Sequence, residues 1–147
     1  MACRRANHVS SRRNADGATF SARSRKASMQ ILTNIVVVAI GALHLYILVL
    51  EMFLWDKPPG LKAFGLTREF ATATKVSAAN QGLYNGFLAA GLFWGASLGA
   101  QGTSVKAFFL SCVFIAGVFG AMTASRKILF IQALPAAAGL ALLALSN

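Results

Sequence analysis

Beyond residue 28 the chain divides into four apolar stretches, 31–55, 77–98, 105–124 and 128–145. Each is near the ~20 residues that carry an α-helix across a bilayer. Inside lipid there is no water to satisfy free backbone N–H and C=O groups, so such stretches must be helical. Four of them in 147 residues predict an all-α fold, a four-transmembrane-helix bundle over residues 29–147. Composition agrees, with 56% hydrophobic and only 12% charged residues, where a soluble domain carries about 25% charged. Short loops join the second stretch to the third and the third to the fourth, which makes those neighbours antiparallel. The longer connection, residues 56–76, opens with DKPPG, and Pro58 and Pro59 stop the first helix. Within it Phe64, Leu66 and Phe70 are expected to lie along the membrane surface.

The first 28 residues differ in kind. They hold Arg4, Arg5, Arg12, Arg13, Arg23, Arg25 and Lys26 against a single acid, Asp16, with almost no apolar run. A segment so poor in burial is expected to be a disordered basic extension. Basic tails bind nucleic acid or anionic lipid, but this one lacks aromatic or RNA-reading motifs, so no nucleic-acid partner is expected. Its Arg- and Ser-rich, acid-poor make-up reads as a mispredicted upstream start or a removable targeting segment.

Loop charges set the expected orientation. Lys57, Lys62, Arg68, Lys75, Arg126 and Lys127 fall on one side; read from Met29, the other side holds Lys106 alone. The six-charge side is then cytoplasmic and both termini lie outside. Counting from Met1, the two sides compete.

Polar residues inside the spans gather at one depth. With Trp55 at the cytoplasmic surface, Glu51 lies roughly 6 Å deep and His44 near the midplane. Asn80, Gln81, Tyr84 and Asn85 enter from the same side, Thr123 arrives there and Gln132 leaves from it. The other half reads as nearly all Ala, Gly, Leu, Val and Phe. His44 and Glu51 are two turns apart on one helix face, which Trp55 continues. Asn80 to Asn85 fill a wedge of roughly 140°, and Gly91, Gly95 and Gly99 extend it as a small-residue packing seam. Together they predict a cytoplasmic-side polar pocket, with Asn80, Gln81, Tyr84, Asn85, Thr123, Gln132 and Trp55 as ligand-binding residues. Simpler structural roles exist for each. Glu51 can snorkel or pair with Lys75, His44 can bond a neighbouring helix, and Asn and Gln serve as interhelical hydrogen-bond glue.

His44 and Glu51 form a candidate acid–base pair, with Tyr84 and Asn85 able to orient a substrate carbonyl, hydroxyl or epoxide oxygen. That chemistry suits an isomerase or hydrolase of a small lipophilic molecule. A proton-linked carrier uses the same residues with Glu51 alternately protonated, and a non-catalytic scaffold uses none of them chemically. No metal or other cofactor is expected. His8 lies in the tail, Cys112 sits at another depth, a single His44 lacks a second haem ligand, and neither a CxxC nor a phosphate-cradling loop occurs. Cys3 and Cys112 are not expected to pair.

At HLYILVLEMFLW, KAFGL and TKVSAANQGLYNGFLAAGL the sequence resembles a bacterial family of small integral membrane proteins, domain of unknown function 1304. The resemblance runs from about Met29 to the C-terminus, including the SRK turn and the QALPA stretch; the residues before Met29 match nothing in it. The pairing of HxYIxxLEMFxW with NQGxYNGFLAxG is far more specific than hydropathy. It implies a four-span bacterial inner-membrane protein, with His44, Glu51, Asn80, Gln81, Tyr84, Asn85 and Gln132 inside the shared motifs. The family has no established reaction. The expected partners are membrane lipid, a small lipophilic ligand and a second copy packed through the Gly-rich helix faces.

Overall fold

A computed structural model describes the backbone of residues 2–146 and the side chains of residues 19–146. Five α-helices follow one another: α1 (Ala2–Phe53), α2 (Pro58–Phe64), α3 (Arg68–Ser97), α4 (Thr103–Thr123) and α5 (Leu134–Ser146). A 3-10 turn, Gly99–Gly102, joins α3 to α4, and a π turn, Leu129–Ala133, leads into α5.

Among the described residues three helical runs are long and apolar enough to cross a membrane: Thr19–Phe53, Gly99–Thr123 and Leu129–Ser146. They account for the first, third and fourth expected spans. The second lies within α3, a 30-residue helix that begins nine residues before the expected boundary. Arg68, Glu69 and Lys75 join its start, and Asn80, Gln81 and Asn85 dilute its apolar run.

Local chemistry sets the ends. Pro58 and Pro59 occupy the first turn of α2, where a missing N–H is harmless, after Lys57 in an extended conformation. Gly65, at φ 65°, closes α2 in the left-handed region that a side chain disfavours. Thr67 caps α3 by accepting from the Phe70 N–H, and Glu69 in the first turn suits the positive helix end. The π turn follows from Pro135, which has no N–H to give and crowds the carbonyl one turn before it. The Leu134 N–H instead reaches five residues back to Leu129 O.

Over residues 19–28, part of the basic extension, α1 runs on without a break. Their side chains are exposed, so helix propensity of Ala, Arg and Lys sustains this stretch rather than packing. Ser28 Oγ donates back to Ser24 O at 3.1 Å. The expected connection 56–76 is also more regular than a surface strand of chain: α2 and the first turns of α3 fill it, with Phe64 and Phe70 exposed.

α1 packs against α3 and α5, and α4 packs against the same two. Val37, Ile40, Leu92, Leu110, Val113, Ala136 and Leu143, drawn from α1, α3, α4 and α5, form the core. Between lipid-facing helices the gain comes from close packing rather than water release, so small residues decide which faces meet. Gly91 sits against Phe109 and Gly95 against Lys106, so the expected glycine seam faces α4 within the chain. Gly99 lies beyond the end of α3, in the turn, at φ 58°. Gly91 and Gly95 are thus buried against α4, while Gly99 is half-buried in the turn.

Candidate functional site

The site begins with the stripe that α3 turns toward α1. Ala78, Gly82, Ala89 and Leu92 are buried, and with Asn85 in the middle of them the stripe repeats every three or four residues. At Gly82 the helices come close: a Cβ there would lie 2.7 Å from Met52 Cγ and 3.0 Å from Glu51 Cβ. Because glycine lets α1 in, Glu51 reaches Asn85. Asn85 Nδ2 donates to Glu51 Oε2 at 2.8 Å and to Gln81 O at 3.3 Å.

Glu51 is only 3% exposed, and the neutral Asn85 amide is its hydrogen-bond partner. Among the described residues no lysine or arginine pairs with it. Lys75, the expected counterion, instead donates to Asp56 Oδ2 at 3.0 Å. That ammonium holds the Asp56 carboxyl below the usual carboxylate range, with Lys57 adding to the effect. An ionised carboxylate costs about 2.5–3.5 kcal/mol at a bilayer centre, less near its surface, while one interhelical hydrogen bond returns about 0.6 kcal/mol. A single amide therefore does not offset a bare charge.

His44 lies two turns further along the same face, fully buried. Its Nδ1 is 2.8 Å from Ile40 O, on its own helix rather than a neighbouring one. A carbonyl only accepts, so Nδ1 carries the proton and the neutral ring presents Nε2 as an acceptor. Nε2 is buried without a hydrogen-bond partner. Seven residues separate His44 from Glu51, about 10 Å along the helix, so an acid–base mechanism needs a substrate that spans both.

The remaining expected residues separate. Gln132 Nε2 reaches Val113 O on α4 at 3.4 Å, tying the π turn to that helix. Trp55 Nε1 donates to Thr74 Oγ1 at 3.0 Å and its ring leans on Phe64, which clips α1 to α2 and α3 outside the bundle. Asn80, Gln81 and Tyr84 are exposed on α3, and Thr123 is exposed on α4, donating to its own Phe119 O. The polar wedge is thus corrected to one inward residue, Asn85. An α3 face pressed onto α1 is narrower than the roughly 140° that the wedge covers.

The opposite end of the bundle is more polar than its sequence suggested. Lys106, in the first turn of α4 and 3% exposed, donates to Asn34 Oδ1 at 3.0 Å and to Gly99 O at 2.8 Å. Sequence reasoning counted Lys106 only as a loop charge. The pointer was its place after a Gly-rich turn that folds the loop back over it. Among the described residues no three His, Cys, Asp or Glu side chains gather closely enough to hold a metal ion.

Residues 36–144 match a family described as a protein of unknown function, DUF1304. The chain is also similar to the uncharacterized protein YpaA of Lactococcus lactis subsp. lactis (strain IL1403). The two are 28% identical over 119 residues, 80% of this chain and 96% of that one. No solved structure matches. The matched span holds Glu51, Asn85 and His44, and begins well after the basic extension.

Proposed function

The chain belongs to the DUF1304 family, and on that premise we propose that it binds a small, partly apolar molecule inside the membrane, between α1 and α3. In this reading α3 is the fourth crossing. The end bearing Lys57, Lys62, Arg68, Lys75, Arg126 and Lys127 faces the cytoplasm across a bacterial inner membrane, following the bias of basic loops toward that side.

One observation carries the proposal: the buried His44 Nε2 has no partner, on the same face as a buried carboxyl held by a single amide. Buried polar atoms are rarely left unpaired, because an unpaired one costs about 1–3 kcal/mol. An occupant that donates to Nε2 and carries an apolar body suited to the surrounding helices removes that deficit. Asn85 positions Glu51, and Tyr84 and Gln81 flank the seam on its exposed side. Interhelical glue explains Asn85 and Gln132 individually, but gives no role to a histidine nitrogen that bonds nothing.

Native mass spectrometry of the protein released gently from detergent tests this. The expected result is a retained small-molecule adduct that is lost when His44→Phe removes the acceptor. A bare mass for the wild type, or an adduct untouched by His44→Phe, defeats the proposal.

A further inference from the structure

Resting on that binding reading, we propose that the occupant is a lipophilic cation of the alkylammonium class, and that it exchanges with a proton on Glu51. Of the acidic residues whose side chains are described, Glu51, Asp56 and Glu69, Glu51 alone lies buried in the bundle; Asp56 is bonded to Lys75 and Glu69 lies in the first turn of α3 outside it. The one buried cation among the described residues, Lys106, is committed to Asn34 and Gly99. Asn34 and Glu51 are 17 residues apart on α1, about 25 Å, so the two buried charged groups cannot neutralise each other.

Every group facing Glu51 is neutral or spoken for. From α3 it meets Asn85 and Gly82; His44 lies two turns back on its own helix, and the Lys75-bonded Asp56 lies beyond that helix's end. Lys62 on α2, and Arg126 and Lys127 beyond α4, are exposed at the bundle's end. A buried carboxyl in this setting keeps a proton or takes an incoming cation. An alkylammonium supplies the missing positive charge and N–H donors to the Glu51 carboxylate, and an alkyl chain for the apolar surroundings. On binding, the Glu51 O–H bond breaks, the proton leaves to water at the basic end, and the carboxylate pairs with the ammonium, so charge balances. Beside Asn85, the exposed Tyr84 and Phe87 form an edge-to-face pair with centroids 5.9 Å apart, an aromatic surface that attracts cations at the rim of the seam.

The test compares octylammonium with octanol, of equal length but neutral, on the detergent-purified full chain by titration calorimetry. Between about pH 6 and about pH 9 Asp56 stays ionised. Octylammonium is expected to bind with release of one proton, its affinity falling up to tenfold per pH unit on the acid side. Glu51→Gln, which keeps an acceptor for Asn85, is expected to lose at least tenfold in cation affinity and all proton release while still binding octanol. His44→Gln is expected to keep the proton release. Cation binding that is indifferent to pH, or retained in Glu51→Gln, overturns the inference, as does proton release that vanishes with His44→Gln but survives Glu51→Gln. Octanol binding without octylammonium binding overturns this inference and leaves the binding reading standing; binding of neither defeats both.

Discussion

Replacing Asn85 with alanine removes the donor to Glu51 and nothing else of substance. Asn85 makes two contacts, 2.8 Å to Glu51 Oε2 and 3.3 Å to Gln81 O, and the second is to a carbonyl of its own helix. The stability loss therefore reports mainly on the α1–α3 bond. With Glu51 carrying its proton, the bond is neutral and worth about 0.6 kcal/mol, the average for polar pairs between membrane helices. With Glu51 ionised and no cation bound, the same donor serves a charge and is worth about 1.5–3 kcal/mol. Asn85→Ala is thus expected to cost under ~1 kcal/mol in mildly acid solution and about 2 kcal/mol in alkaline solution. The assay is reversible unfolding in mixed micelles, run as a double-mutant cycle with Glu51→Gln at several pH values. The coupling energy of the pair should grow with pH in the wild-type background, whereas Asn85→Ala made on Glu51→Gln should cost the same at every pH. A coupling energy of zero throughout would falsify the contact, and a large one at acid pH would show that the carboxyl is ionised there.

Two further outcomes follow from the same geometry. Gly82→Ala places a Cβ 2.7 Å from Met52 Cγ and 3.2 Å from Leu48 O, so α1 and α3 must part; a loss of about 1–3 kcal/mol is expected, with the Glu51–Asn85 coupling reduced in the same cycle. Unchanged coupling in that variant means the helices do not meet at Gly82. The Asp56–Lys75 pair gives a pH dependence of known sign. Because the folded Asp56 carboxyl titrates below its unfolded value, its contribution is complete above the ordinary aspartate range, near about pH 4, and is lost as pH falls through the lower folded value. Thermal melting between about pH 6 and about pH 3 should therefore fall more steeply in wild type than in Asp56→Asn; parallel curves mean the pair contributes nothing.

Much of this molecule is legible in its residues, and the reason is locality. Span length, the stop at Pro58 and Pro59, the Thr67 cap and the Gly65 ending depend on neighbours in the chain, and lipid permits such segments no conformation but helix. The inventory of polar residues and their depth were readable for the same reason, since depth along a helix is a count of residues. In residues 19–28 the exposed helix rests on the propensity of Ala, Arg and Lys rather than on burial, which a count of apolar residues does not register.

Rotation about the helix axis is another matter. Asn80, Gln81, Tyr84 and Asn85 share a wedge, and nothing in their own periodicity says that Asn85 alone turns inward. That was decided by the fit of Gly82 and Gly86 against Met52, Glu51 and Leu48 of another helix. The readable clue was the small-residue stripe Ala78, Gly82 and Ala89, with Asn85 at its centre. Pairing of charges was likewise a tertiary outcome: Lys75 lies within reach of Asp56 and not of Glu51, and Lys106 is folded under Gly99. The chain itself determined which segments enter the membrane and at what level each polar group sits, because those follow from covalent order and the solvent. Only the packing of helix on helix decided which of those groups meet, because contact depends on side-chain volumes from distant parts of the sequence.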